Sequence, residues 1–302
     1  MPKIIVIGSL AYDSIYTPSG AAERALGGSS NYFSLSASMY SKVGVVGVIG
    51  EDYHASDIDM LKERGVDVSG IKREKGKTFH WAGRYEGDLN EAQTLTTELN
   101  VFESFKPTLP DGFRDAEYVF LANIDPVLQM SVLEQVKKPK LVAMDTMNFW
   151  ISSKLSDLKS VLKKVDVLLI NEGEAKILTK EANAIAASYK LIELGPKAVV
   201  IKRGEYGFVL FYDKHYFILP AYPISKVVDP TGAGDTFAGG FIGYLAKSGS
   251  GLDLETLKRA CVQGCLMASF TVQDFSVRAL LNLTEAQVEK RFKEYMKVVT
   301  VS

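Results

Sequence analysis

The sequence predicts an α/β fold: a central, mostly parallel sheet flanked by helices, with a small β-sheet lid projecting from one edge. Three observations carry this prediction. Short apolar runs alternate with segments of helical periodicity, two polar and glycine-punctuated stretches interrupt the alternation, and no repeat, low-complexity tract or linker divides the 302 residues. A single domain spanning 1–302 is expected, with lid segments at about 12–25 and 71–105.

Ile4 to Ile7 reads as a strand ending at Gly8, and a helix from Tyr32 to Met39 leads to a second strand, Val43 to Ile49. Further strands are expected at Tyr118 to Ala122, Leu141 to Met144, Val165 to Ile170 and Ala198 to Ile201. Helical periodicity marks Val127 to Val136, Ile151 to Leu162 and Ile185 to Leu194. Unbroken apolar strands alternating with helices suit a parallel sheet covered on both faces. Tyr12 to Ala25 and Ile71 to Phe105 instead alternate β-branched, aromatic and polar residues, which predicts antiparallel hairpins. Such hairpins do not join a parallel core easily, so they are expected in a small separate sheet, either a lid over a site or plain surface structure.

Composition narrows the function classes. With 35 Lys+Arg against 36 Asp+Glu, the net charge of −1 carries no bias toward nucleic acid or membranes. Ile4 to Ile7 is too short for a signal-peptide core or a bilayer span, so a cytoplasmic protein with small-molecule partners is expected. Cys261 and Cys265 lie one helical turn apart, cannot complete a metal site alone, and read as buried thiols. His54, His80 and His215 fall in no metal-ligand spacing, which argues against a zinc enzyme.

The most informative stretch runs from Val228 to Leu245. From Phe237 on, Phe241, Tyr244 and Leu245 recur at helical spacing, and Gly239, Gly240 and Gly243 would let that helix lie close to a neighbour. Gly232, Ala233 and Gly234 precede it, so their N–H groups can point out of a helix N-terminus, where unpaired donors and the helix dipole attract an anion such as phosphate. Asp235 follows directly. It reads either as an N-terminal cap or as a base for a hydroxyl attacking a phosphoryl group held by those donors.

The run Asp229 to Phe237, Asp-Pro-Thr-Gly-Ala-Gly-Asp-Thr-Phe, resembles the signature of the ribokinase-like (PfkB) family of carbohydrate and nucleoside kinases, and the resemblance extends over essentially the whole chain. It implies a ribokinase-like fold and an ATP-dependent phosphotransferase acting on a hydroxyl of a small sugar or sugar-like substrate. A nucleoside kinase is the alternative, and a non-catalytic sugar or nucleotide sensor is a third reading. By this resemblance Asp235 is the catalytic base and Gly232, Ala233 and Gly234 form the anion hole.

Asn171-Glu172-Gly173-Glu174 resembles the family's Asn-x-x-Glu element, which helps organise Mg²⁺ and the nucleotide phosphates, with Glu174 acting on the metal indirectly. Carboxylate and amide oxygens suit Mg²⁺; a helix start with acidic residues at its positive end explains the same residues without it. Val199 to Gly207 resembles the strand and Gly-x-x-Gly turn that approach ATP, which makes Lys202, Gly204, Gly207 and, beside the anion hole, Thr231 nucleotide-binding candidates. Lys202 stands where many relatives carry threonine, and it meets either a phosphate or solvent. Gly76-Lys77-Thr78 fails as a P-loop because Ile71 occupies the required glycine position, and Phe237 occupies the third-glycine position of a dinucleotide fingerprint.

On the acceptor side, Asp13 matches the family aspartate that accepts hydrogen bonds from substrate hydroxyls, as suits a group that accepts without donating. Gly27-Gly28 matches the turn that lets substrate lie against bare backbone. The family asparagine four residues after the second glycine is replaced by Tyr32, with Asn31 one place earlier as the substrate-binding candidate, and Ala11 replaces an asparagine found in ribokinases. These departures leave the acceptor open. Phe79, His80, Trp81, Arg84 and Tyr85 either cover a sugar or stack on a nucleobase, with Arg84 alternatively on a substrate phosphate, or the aromatics build the hairpin's own apolar face or a dimer contact; an exposed lid edge favours a homodimer. Asn123, Asp125 and the Asp145 to Asn148 turn follow strand ends on the ligand side. A monovalent-cation site for K⁺ is implied at Asp229 and Thr231, with a loop near Ser269 to Ser276.

Overall fold

A computed structural model describes residues 1–87, 89–90 and 92–300. Residues 88 and 91 of the predicted 71–105 segment, and 301–302 of the predicted domain, lie outside the described residues. The chain opens with β1 (Ile4–Ile7), β2 (Ala11–Thr17), β3 (Gly20–Gly27), α1 (Ser29–Ala37), β4 (Val43–Ile49) and α2 (Ala55–Glu63). It continues with β5 (Asp67–Arg73), β6 (Phe79–Tyr85), β7 (Ala92–Glu98), β8 (Tyr118–Leu121), α3 (Pro126–Leu133), β9 (Leu141–Met144), α4 (Asn148–Ser153) and α5 (Leu155–Leu162). Then come β10 (Val167–Asn171), α6 (Glu172–Thr179), α7 (Ala184–Glu193), β11 (Ala198–Lys202), β12 (Phe208–Tyr212) and β13 (His215–Leu219). The last helices are α8 (Ala233–Ser248), α9 (Leu254–Thr271), α10 (Arg278–Leu281) and α11 (Glu285–Val299).

The nine-stranded sheet has the order β13-β12-β11-β10-β9-β8-β1-β4-β5. It is parallel from β5 through β11, and β12 runs antiparallel to both its neighbours. The period-two alternation of β1 splits its side chains between two cores: Ile4 and Val6 join Phe33, Phe241 and Leu266, while Ile5 and Ile7 join Val132, Leu158 and Leu191. Burial on both faces is why these strands read as continuous apolar runs. Because the chain builds outward from β1 in both directions, a crevice forms at the carboxyl ends of β1 and β8, where open α/β sheets hold ligands.

The small sheet has the order β3-β2-β6-β7. Its two halves are antiparallel hairpins, as expected, but they meet through a parallel β2–β6 pair. The intervening chain, which passes through the large sheet, is the long crossover a parallel pair needs. Thr17 and Ser19 at the first hairpin tip donate to the carbonyls of Val228 and Val227 at 2.8 and 3.1 Å, tying the small sheet to the loop before Asp229.

Four boundaries differ from the sequence reading. Residues 71–73 extend β5 of the large sheet. The predicted helix from Ile151 to Leu162 is two helices, broken where Lys154 leaves helical geometry (φ −135°, ψ 41°) and pairs with Asp125. The β12–β13 hairpin was not anticipated. Helix α8 starts at Ala233 and not at Phe237. Its glycines do permit close packing, with Gly239 against the Phe33 carbonyl of α1 and Gly240 against α9. Among the described residues no helix is long and apolar enough to cross a membrane.

Candidate active site

The start of α8 meets the end of β11. Gly232 caps the helix with left-handed backbone (φ 73°, ψ 0°), which favours glycine. A side chain is excluded there a second time, because a β-carbon would lie 2.4 Å from the Tyr32 ring. The three predicted donors are therefore the cap and first turn of α8, and they are not equivalent. Ala233 N–H donates to the Pro230 carbonyl at 3.2 Å, whereas the N–H groups of Gly232 and Gly234 have no partner among the described residues. Those two donors and the positive helix end can receive an anion.

Asp235 lies in the same turn. Burial pushes its carboxyl up to about 6, and the Lys202 charge opposes that rise. Lys202, the last residue of β11, rests against Gly234: a β-carbon there would be 2.9 Å from Nζ. Among the described residues the ammonium has neither a hydrogen bond nor a close ion pair. A cation at the positive end of a helix is unfavourable on its own. Here it stands among carboxyls, since burial pushes Asp145, Glu174 and Asp235 upward and Lys202 draws each of them down.

Asp145 follows β9 and is 5% exposed, with Oδ1 buried and unpartnered among the described residues. Burial, and then the Asp235 charge, hold its carboxyl well above the ordinary range. Asn171 and Glu174 form a capping box on α6: Asn171 Oδ1 accepts from Glu174 N–H at 2.7 Å and Glu174 Oε2 accepts from Asn171 N–H at 2.9 Å. The helix-start reading of this element is satisfied, and Glu174 Oε1 takes no part in the box. Among the described residues no group of three or more ligating side chains is assembled. An orphaned Asp145 oxygen beside Glu174 still fits a hydrated Mg²⁺, which keeps most of its waters and takes one or two carboxylates.

On the acceptor side, Asp13 of β2 is 5% exposed. Its carboxylate packs on Gly27, where a β-carbon would lie 1.9 Å from Oδ2, and accepts from Gly28 N–H at 3.4 Å. Burial pushes Asp13 up to about 7; the Gly28 N–H opposes this and the charges of Asp229 and Asp235 add to it. Asn31 behaves differently from its expected role. Fully buried, its amide donates to the Gly27 carbonyl at 2.6 Å and the Tyr53 hydroxyl at 3.2 Å, so it braces the turn from behind.

The β2–β6 register sets Trp81 beside Asp13. The indole lies over Gly83, where a β-carbon would be 2.1 Å from the ring, and donates to Thr94 Oγ1 at 3.3 Å. Tyr85, two positions further along the same face, accepts from Thr231 Oγ1 at 3.1 Å. That face of the small sheet thus turns toward the start of α8. Phe79 stacks on Phe102 at 5.5 Å, which itself packs against the core of the large sheet, and His80 on the other face contacts Ser14 and Glu98.

Both Asp229 oxygens accept backbone N–H groups, from Thr231 at 2.8 Å and Ser276 at 3.0 Å, so this carboxylate cross-braces the loop. Gly204 and Gly207 form the turn after β11, both at positive φ, and a β-carbon on Gly207 would meet the Leu219 carbonyl at 2.0 Å. Asn90, from the β6–β7 loop, abuts Gly204. Asp125 caps α3 and pairs with Lys154, and Asn123 accepts from Trp150 Nε1 at 2.9 Å. Asp145 stands at the strand end that placed it on the ligand side in the sequence, and packing adds its nearness to Glu174 and Asp235.

The chain matches the pfkB family carbohydrate kinase model over residues 1–283. It is 32% identical over 252 residues to a cytidine kinase of Thermococcus kodakarensis, covering 81% of this chain and 89% of that one. Its fold superimposes on a putative ribokinase II from E. coli in complex with ATP and Mg²⁺ with a TM-score of 0.79, at 19% identity, covering 97% of this chain and all of that one. An Arabidopsis thaliana ribokinase complexed with ribose and ATP gives 0.78 at 23% identity, covering 97% and 99%.

Proposed function

We propose a nucleoside as the acceptor of this chain, which belongs to the pfkB family of carbohydrate kinases and moves the terminal phosphate of ATP onto a hydroxyl of a small substrate. The observation that carries the proposal is the pairing of Asp13 with Trp81 on the face that turns toward Thr231. A carboxylate suits the vicinal hydroxyls of a ribose, and an indole plane suits a base. The likeness to a cytidine kinase over most of both chains supports the same reading. A free pentose is the second reading, since Asp13 and the Gly27 turn need no base.

In this mechanism Asp13 holds the acceptor and Asp235 takes the proton of the attacking hydroxyl. The new O–P bond forms in line as the bond between the γ-phosphorus and the bridging oxygen breaks, releasing ADP. The Gly232 and Gly234 N–H groups and the Lys202 ammonium meet charge on the transferring group. Gly204 and Gly207 border the nucleotide, with Thr231 at the phosphate end. Asp145 and Glu174 would hold hydrated Mg²⁺, which when bound offsets charge on the β- and γ-phosphates.

The small sheet is proposed as a lid, since Asn90 on Gly204 and Tyr85 on Thr231 are contacts that opening would break. K⁺ at the Asp229 loop, dependent on Thr231 and the Ser269 to Ser276 segment, is also proposed; equal activity with and without K⁺ at fixed ionic strength would remove it. The fully exposed edge strand β7 supports a homodimer, checked by light scattering. An ATP consumer with two unpaired cysteines fits a cytoplasmic setting.

The test is Mg²⁺-dependent ADP formation over a panel of nucleosides, free sugars and sugar phosphates, with Asp235→Ala as control. Turnover of a nucleoside, abolished in the control, is expected. Turnover of a free sugar with no nucleoside used would replace the proposal with the second reading.

A further inference from the structure

We propose that Tyr32 is an acceptor-binding residue whose buried hydroxyl donates a hydrogen bond to a hydroxyl oxygen of the acceptor other than the one that is phosphorylated. The inference deepens the acceptor reading above and depends on it only for the choice of probe.

Position comes first. Tyr32 lies one helical turn beyond Gly28 in α1, so its side chain returns to the side of the Gly27–Gly28 turn. Its ring is packed on the α-carbon of Gly232, the cap of α8, as the 2.4 Å approach of a β-carbon there records. One side chain thus links the acceptor turn to the anion hole, and the transferred phosphate must cross between those two places.

Chemistry comes second. Tyr32 is 1% exposed, and its hydroxyl has no hydrogen-bond partner among the described residues. A buried unpaired hydroxyl is a standing cost, and phenylalanine would fill the same volume without it. Burial, and then the carboxylates of Asp13 and Asp229, hold this phenol well above its ordinary range, so it stays protonated and can donate at any working pH. The charges it feels are acceptors that it does not reach. An oxygen of a polyol bound between Tyr32 and Asp13 would satisfy the orphan donor while its own hydroxyl hydrogen goes to Asp13. Tyr118 also carries a buried unpartnered hydroxyl, but it sits in β8, away from the Gly28 turn and Gly232.

The experiment compares wild type with Tyr32→Phe, measuring KM for ATP, KM for the best nucleoside of the panel and for its 2′-deoxy and 3′-deoxy forms, and Tm. The expected variant keeps its ATP KM within about twofold, melts no lower than wild type, and raises the acceptor KM roughly 3- to 10-fold. It also loses the wild-type discrimination against one deoxy form, because the partner of that hydroxyl is already gone. An unchanged acceptor KM, or an equal penalty against every deoxy form, overturns the inference. Should wild type use a free pentose and no nucleoside, the acceptor reading fails separately, and the same comparison with the pentose and its deoxy forms still decides the role of Tyr32.

Discussion

The ammonium of Lys202 rests on Gly234, close enough that a β-carbon on the glycine would lie 2.9 Å from Nζ. The half-buried charge is therefore held at the donor end of α8. Removing it in Lys202→Met is expected to lower kcat by about 10²- to 10³-fold, the usual loss for one transition-state donor. Gly234→Ala should reproduce part of that loss by displacing the ammonium while the helix persists. Steady-state kinetics with ATP varied, beside circular dichroism of both variants, checks this; a normal kcat in Lys202→Met refutes it.

Asp235→Asn keeps the shape of the helix start and removes the carboxyl proposed as the base. A fall in turnover of about 10²- to 10⁴-fold is expected, with ATP affinity by calorimetry little changed. Near-normal turnover in a folded variant would return Asp235 to the role of a cap.

The pH profile follows from the same residue. Asp235 must be ionised to accept a proton, and burial raises it to about 6. Free-enzyme kcat/KM is therefore expected at its plateau above that value, falling as pH drops through it. Lys202 opposes the rise, so Lys202→Met should move this acidic limb to higher pH. A limb that stays in place would uncouple the two groups.

Asp13 makes a stability prediction of defined sign. Its carboxyl binds a proton more tightly in the folded chain than in the unfolded one, so its contribution is full below the ordinary value of 3.8 and is lost as pH rises through about 7. Asp13→Asn cannot titrate. It should melt above wild type at pH 8, by roughly 2–6 °C, with the gap closing toward pH 4. The acceptor KM should rise about tenfold or more. Parallel melting curves at the two pH values, with no change in the gap, would contradict the assignment.

Trp81→Ala tests the base-stacking face. Loss of one stacked base is worth about 1–3 kcal/mol, so the nucleoside KM should rise roughly 5- to 150-fold while KM for any free sugar used stays put. Equal effects on both acceptors would make Trp81 a structural cover for Gly83.

The strands of the large sheet were legible because burial on both faces leaves an unbroken apolar run, as in Val43–Ile49 and Leu141–Met144. In the β12–β13 hairpin only β12 is a buried apolar run; β13 buries none of its residues fully, so no clean period marks it as the partner strand. Lys154 broke a well-patterned helix for a reason outside that helix, its pairing with Asp125 of another element. Asn31 carried the right residue type for a ligand contact, yet Tyr53 and the Gly27 carbonyl had already taken its amide.

By itself the sequence determined the donor turn and the carboxyl beside it, because Gly232, Gly234 and Asp235 are consecutive enough for helix geometry alone to bring them together. It also determined the sheet, through the period of its apolar residues. Only the tertiary structure decided that Lys202 lay against Gly234 at the start of α8, that Asp145 joined Glu174 and Asp235, that Trp81 stood beside Asp13, and that the Tyr32 hydroxyl was left without a partner among the described residues. Pairing and burial of a polar group depend on what distant chain brings to it, and that information lies in the packing of elements rather than in local pattern.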